Sequence, residues 1–195
     1  RGFGYHIALQ LAKAGANLII TGRTVGSLEE LSDKILQYGG KVTVVPLDLL
    51  NQLQTQIFCK TLFEKFGKLD LFIHSASLAV PMSPIETINE KDLIKYFQTN
   101  TFLTQRLIKL LHPLLKIQKD SIAVFLNDSS KKKHKKFLGV YNASQAASKE
   151  LILSYTEETS RIGPKVLIFE PLPMPTKTRL IMFPGENKKL LSSCK

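Results

Sequence analysis

Five short, nearly continuous apolar runs alternate along this chain with longer stretches of helical period, and that alternation constrains the fold more than any other feature. The runs are "NLIIT" (17–21), "KVTVVPL" (41–47), "LDLFIHS" (69–75), "SIAVFLN" (121–127) and "KVLIF" (165–169). Runs of this length and β-branched content read as strands buried on both faces. Between them lie helical spans at 5–14, closed by Gly15, at 25–38, ending at Gly39-Gly40, and at 53–66, stopped by Gly67. A capping box of Thr87 and Glu90 opens a long helix to about Leu115 with Pro113 in its last turn, and 139–161 is helical again. Strand–helix alternation of this kind, with no internal repeat, argues a doubly wound parallel α/β sheet. Ligands of such sheets bind beyond the carboxyl ends of the strands, so the residues just after each run carry the chemistry.

The 195 residues are one domain's worth, read as a single unit over 1–186 with a disordered tail at 187–195. No apolar run approaches the roughly 18–20 residues that span a bilayer, so no membrane helix is expected. Two cysteines, Cys59 and Cys194, make no framework, and a reducing cytoplasm is the default location. The net charge is +11, and five lysines crowd into "KKKHKK" (131–136). Such a run suits nucleic acid or anionic lipid, but no aromatics interleave with it and arginine is scarce. It reads as a solvated loop, and neither a specific nucleic acid nor a membrane is expected as a partner. No metal site is expected either.

Chemistry-bearing residues fall at the strand ends. "RGFGYHIALQLAKAGANLIITGR" opens as half of a glycine-rich dinucleotide loop, in which Gly2 and Gly4 let backbone amides approach a pyrophosphate at a helix N-terminus. Asp48 follows the second run in "PLDLL", Ala76 lies in "HSAS", Asn100 sits within the long helix, Tyr141 opens "YNASQAASKE", and Thr176 closes "PLPMPT". As an ordered set these resemble the short-chain dehydrogenase/reductase family, from residue 1 to about 186. The resemblance implies a Rossmann-like fold and hydride transfer between a nicotinamide cofactor and a small carbonyl or alcohol substrate. It casts Tyr141 as acid/base, Asn100 as holder of a relay water and Asp48 as an adenine contact, with Ala76, Gln145 and Thr176 along the cofactor. It also leaves room for a homo-oligomer. The first run, which matches the family's second strand, is followed by Gly22 and Arg23 rather than by the acid that binds a ribose 2′-hydroxyl, and Arg1 stands before the glycines. Two guanidiniums and no carboxylate favour a 2′-phosphate, hence NADP(H) over NAD(H).

Departures from the family are equally specific. Its Tyr-x-x-x-Lys lysine is Gln145 here, one helical turn from Tyr141 and uncharged. Lys149 is no substitute, because eight helical residues span about 12 Å. The place thirteen residues before the tyrosine, where the family has a serine, holds Asp128, with Ser129 and Ser130 next. A one-residue-shorter loop would put Ser129 there, the reading preferred; Asp128 in that place would raise the tyrosine's pKa. His74 reads as structural, and Leu172 replaces a glycine that gives the nicotinamide room. The resulting expectation is an NADP(H)-dependent oxidoreductase of doubtful activity. The alternative is a degenerate, non-catalytic relative or a fragment of a decayed gene.

One architectural expectation follows from the resemblance. The family's first strand precedes the glycine pair and lies between the runs at 17–21 and 69–75, and a further strand follows the region of residue 186. The chain is therefore expected to leave an empty slot beside 69–75, a poorly formed phosphate loop, and a tail with little to pack against.

Overall fold

Each apolar run becomes a parallel strand, and the helical stretches between residues 25 and 161 carry the chain from one strand to the next. The computed structural model describes residues 2–79, 81–128 and 136–192. In chain order the elements are α1 (Phe3–Lys13), β1 (Asn17–Gly22), α2 (Val25–Gln37), β2 (Lys41–Pro46), α3 (Gln52–Phe66), β3 (Leu71–His74), α4 (Glu90–Phe97), α5 (Leu103–Ile117), β4 (Ile122–Leu126), α6 (Gly139–Thr159), β5 (Lys165–Phe169) and α7 (Lys177–Met182). β1 pairs with β2 from Asn17↔Lys41 to Gly22↔Pro46. β4 lies between β3 and β5, and all of these pairings are parallel.

Helices cover both faces, as a doubly wound sheet requires. Leu18 and Ile20 of β1, with Val42 and Val44 of β2, meet Ala8 and Ala12 of α1 and Leu28, Leu31 and Ile35 of α2. Ile19, pointing the other way by the period of two, packs against the larger core. That core joins Cys59 and Leu62 of α3, five leucines of α5, Ala123 and Phe125 of β4, and Ile152 and Tyr155 of α6. Burial pushes the Cys59 thiol up to about 11, so it is an inert core residue. Among the described residues, no helix is long and apolar enough to cross a membrane.

The slot expected between the first and third runs is visible in the pairing. β1 bonds only to β2, and β3 only to β4, so among the described residues the strands form a two-stranded and a three-stranded sheet. Each of β1 and β3 therefore keeps one edge with no ladder partner. The glycine turn, by contrast, is a formed helix start with Phe3 stacked on Phe169 of β5 at 5.1 Å.

Three local readings are corrected. The long helix is not opened by Thr87 and Glu90: Asn89 is the cap, its side chain accepting from the Asp92 N–H at 2.9 Å. Thr87 instead turns its hydroxyl back to the Pro84 carbonyl at 2.8 Å, within a 3₁₀ turn at Ile85–Thr87. The helix is also interrupted by a wide π-type turn at Gln98–Phe102, and α5 runs two residues past Leu115. Residues 187–192 are tied down rather than loose: Asn187 caps a turn at Lys188–Leu190, and the Ser192 N–H donates to the Pro173 carbonyl at 3.0 Å.

Two measurements test this architecture. With an edge of β1 and an edge of β3 both lacking a ladder partner among the described residues, the 195-residue polypeptide should unfold at low urea and associate as concentration rises, read by circular dichroism and light scattering. A cooperative, monomeric transition would contradict it. The second concerns His74, which is buried against Phe72 and Phe125 at the end of β3. Burial lowers its pKa to about 4 from 6.5, so between these values the unfolded chain binds more protons than the folded one. Stability should therefore fall as pH drops from about 6.5 towards 4, by up to about 1.4 kcal/mol per unit. His74→Phe should flatten that slope, and an unchanged slope would sink the assignment.

Candidate functional site

Parallel crossovers bring all five strand ends to one side of the molecule, and the candidate residues gather there. Beyond β1 lies exposed Arg23; beyond the adjacent β2 lies exposed Asp48, whose carboxylate accepts the Leu50 N–H at 3.0 Å. The Arg106 guanidinium fastens that turn by donating to the Leu49 and Leu50 carbonyls at 3.3 and 3.2 Å. Beyond β3 come Ser75, Ala76 and Ser77, and beyond β4 comes Asp128. Arg1 and Ser129 lie outside the described residues, as do Ser130 and residues 131–135 of the lysine run.

Glycine is required where α1 begins. Gly2 has φ +75°, a backbone that side chains rarely adopt. A Cβ on Gly4 would fall 2.5 Å from the Ser75 hydroxyl, and one on Gly2 would fall 3.8 Å from the Thr176 methyl. The first turn of α1 is thus pressed between the end of β3 and the segment after β5, with no side chain capping its amides. Uncapped amides at a helix N-terminus favour negative charge, phosphate included. Thr176 itself caps α7, accepting the Arg179 N–H at 3.1 Å.

Tyr141 stands at the centre. It lies in the first turn of α6, only 6% exposed, and its hydroxyl donates to the Asp128 carboxylate at 3.2 Å. Burial raises its pKa well above the ordinary tyrosine range. The Asp128 charge raises it further, and a hydrogen bond with Ser77 acts in the opposite sense. Tyr96 of α4 packs edge-on against it, with ring centroids 6.4 Å apart. A small cavity of about 50 Å³ opens beside the ring, lined in part by Asp92, Phe137 and Val140.

Asn100 and Gln145 hold the strand-end loop to α6. The wide turn at 98–102 aims Asn100 inward, and both ends of its amide are engaged. Its oxygen accepts from the Leu78 N–H at 2.8 Å and from the Ser77 hydroxyl at 3.3 Å. Its nitrogen donates to the Leu78 carbonyl at 3.1 Å and to Ser144 Oγ at 3.0 Å. Asn100 is therefore an anchor of residues 77–78. Gln145 donates to Ser77 Oγ at 3.1 Å and accepts the Asp128 N–H at 3.2 Å. Ser77, Gln145, Asp128 and Tyr141 thus form one hydrogen-bonded chain. Lys149, two turns along α6, is held by Glu170 at 2.7 Å, in line with its exclusion as a replacement lysine. Leu172 is 66% exposed and does not fill the site.

Two participants carried no signal in the sequence. Ser77 is the hub of the network, yet it sits in a loop beside another serine. Arg179 of α7 grips Glu186 through two parallel bonds, Nε to Oε2 at 2.6 Å and Nη2 to Oε1 at 2.5 Å. A fork closed across a turn leaves no helical or strand periodicity to read.

This arrangement has relatives. A tropinone reductase homolog of Datura stramonium is 28% identical over 168 residues, covering 84% of this chain, while the chain spans 62% of that protein's length. A solved short chain dehydrogenase of Pseudomonas syringae superposes with a TM-score of 0.93 at 28% identity, covering 100% of this chain and 80% of that one. Another, from Shigella flexneri and complexed with NADP, gives 0.92 at 25% identity, with coverage of 99% and 82%. With residues 1–187 matching the short chain dehydrogenase family, this chain belongs to that family.

Proposed function

We propose that the chain is an oxidoreductase using NADP(H) in preference to NAD(H), acting on a small-molecule carbonyl or alcohol, with Tyr141 as proton donor and the cytoplasm as its place of action. The observation that carries the reading is the position of the Tyr141 hydroxyl. It lies just beyond the carboxyl end of β4, bonded to Asp128, on the side where Gly4 meets Ser75 and Gly2 meets Thr176. The residues present fit a dinucleotide. The α1 N-terminus suits its phosphates, Arg23 a 2′-phosphate and Asp48 the adenine end.

When bound, the nicotinamide ring supplies or accepts the hydride. Tyr141 Oη holds the proton that a carbonyl oxygen takes as it is reduced. Burial and Asp128 make the phenol hold that proton tightly. A developing alkoxide still draws it off, whereas the phenolate needed to deprotonate an alcohol is scarce. Reduction is accordingly favoured over oxidation. Gln145 keeps the loop in place but brings no charge to the phenol. Asn100, by anchoring residues 77–78, sets where Ser77 meets the pair.

A second reading, a dinucleotide-fold protein without turnover, draws on the same network, because the Tyr141 proton and the Gln145 amide are both committed within the protein. Two experiments decide. Calorimetric titration should show tighter binding of NADPH than of NADH, with Arg23→Ala narrowing the gap; equal or reversed preference would refute the cofactor assignment. Carbonyl reduction with NADPH, assayed on simple ketones and aldehydes, should be weak and should rise about tenfold in Gln145→Lys for each unit by which the phenol's pKa falls. Ordinary wild-type turnover that vanishes in the variant would overturn the proton-transfer assignment. No turnover in either protein would favour the second reading.

A further inference from the structure

We propose that Asp128 is the route by which a solvent proton reaches Tyr141, a relay residue at the boundary between the buried phenol and water. The inference rests on Tyr141 being the proton donor. A phenol that gives its proton to a carbonyl oxygen must be reprotonated before it acts again. Tyr141 is 6% exposed and clusters with Tyr96, Leu138, Val140 and Met182, so its surroundings are largely apolar. Asp128 is exposed, and its carboxylate accepts the Tyr141 hydroxyl at 3.2 Å. One side chain thus reaches both the phenol and solvent, and a carboxylate is a group that takes up and gives back protons. Gln145 holds it in place by accepting the Asp128 N–H at 3.2 Å.

The other neighbours lead nowhere. Ser77 Oγ donates to the Asn100 oxygen at 3.3 Å and accepts from Gln145 at 3.1 Å. Both partners are amides, which do not take up or lose protons as acids do. Asn100 is closed further by Leu78 and Ser144. Tyr96 meets the ring edge-on, and Asp92 lines the cavity beside it with its carboxylate on the Asn89 amide at 2.9 Å. Lys149 is held by Glu170 and Arg179 by Glu186. Among the described residues, Asp128 is therefore the titratable group hydrogen-bonded to the phenol.

The steps balance. As hydride reaches the carbonyl carbon, the Tyr141 O–H bond breaks and an O–H bond forms on the substrate oxygen, leaving a phenolate. Asp128 takes a proton from solvent. Its O–H bond then breaks as that of the phenol re-forms, and the carboxylate returns. Repulsion between a phenolate and a carboxylate at hydrogen-bonding distance favours the uptake. One solvent proton is consumed per turnover.

The test reads the proton itself, without turnover. With tyrosine labelled at ¹³Cζ in the full chain, exchange of the Tyr141 hydroxyl between H₂O and D₂O is followed through the deuterium isotope shift on that carbon. Circular dichroism confirms the fold. Asp128→Asn keeps the size of the side chain and a hydrogen bond but cannot carry a proton, and should slow exchange by about tenfold or more. Asp128→Ala should slow it likewise, and added formate should restore it in proportion to concentration. Where the Asn variant does not fold, the Ala variant with formate decides alone. Unchanged exchange in either variant, or slowed exchange that formate does not restore, would overturn the relay even if reductase activity is found. Slowed exchange restored by formate would support it even if no ketone is reduced and the proposed activity fails.

Discussion

Parallel strands cannot be joined by tight turns, and most of this structure follows from that constraint. Each strand must be followed by a crossover helix that returns the chain to the starting edge, so every strand ends on the same side. This is why Arg23, Asp48, Ala76 and Asp128, spread over more than half the sequence, open onto one surface. The helices must also bury the strands from both sides, which explains the opposite allegiance of neighbouring residues in β1: Leu18 and Ile20 belong to the α1–α2 layer and Ile19 to the core of α3, α5 and α6. Those β1 side chains tie the two-stranded sheet to the three-stranded one where no backbone ladder does.

The same constraint decides what could be read from the sequence. Strands buried on both faces are written as apolar runs, and all five were legible to within a residue or two at each end. Helix starts were less so. Thr87 and Glu90 have the spacing of a capping box, but Asn89 offers an amide oxygen two residues later, and Thr87 is drawn to the Pro84 carbonyl. α7 has only six residues among prolines and shows no period to detect. At the site, Tyr141, Gln145 and Asn100 were singled out by their resemblance to the family's motifs, and the structure brings all three close to residues 77–78 and 128. Ser77 and Arg179 were not, because their roles arise from contacts 68 residues away in one case and across an irregular turn in the other.

Seen as chemistry, the two departures from the family pattern depend on each other. Gln145 accepts the Asp128 N–H, which a lysine ammonium with three donors and no acceptor cannot do. Asp128, in turn, sets its carboxylate on the Tyr141 hydroxyl. A lysine at 145 would leave that backbone amide to find another acceptor, at a cost on the order of 1–3 kcal/mol if none is near. The amide at 145 is therefore not a neutral loss of charge; it matches the carboxylate at 128.

Under the proposed reductase reading, that pairing also shapes the direction of proton flow. A phenol beside a carboxylate in a buried pocket gives up its proton only to a strong base, and a carbonyl oxygen becomes one only as hydride reaches its carbon. In that reading the proton is released by the reaction rather than ahead of it. Alcohol oxidation needs the reverse, a phenolate formed next to Asp128, where like charges repel at hydrogen-bonding distance. In that reading the balance between reduction and oxidation depends on Asp128 as much as on the helix that carries the tyrosine.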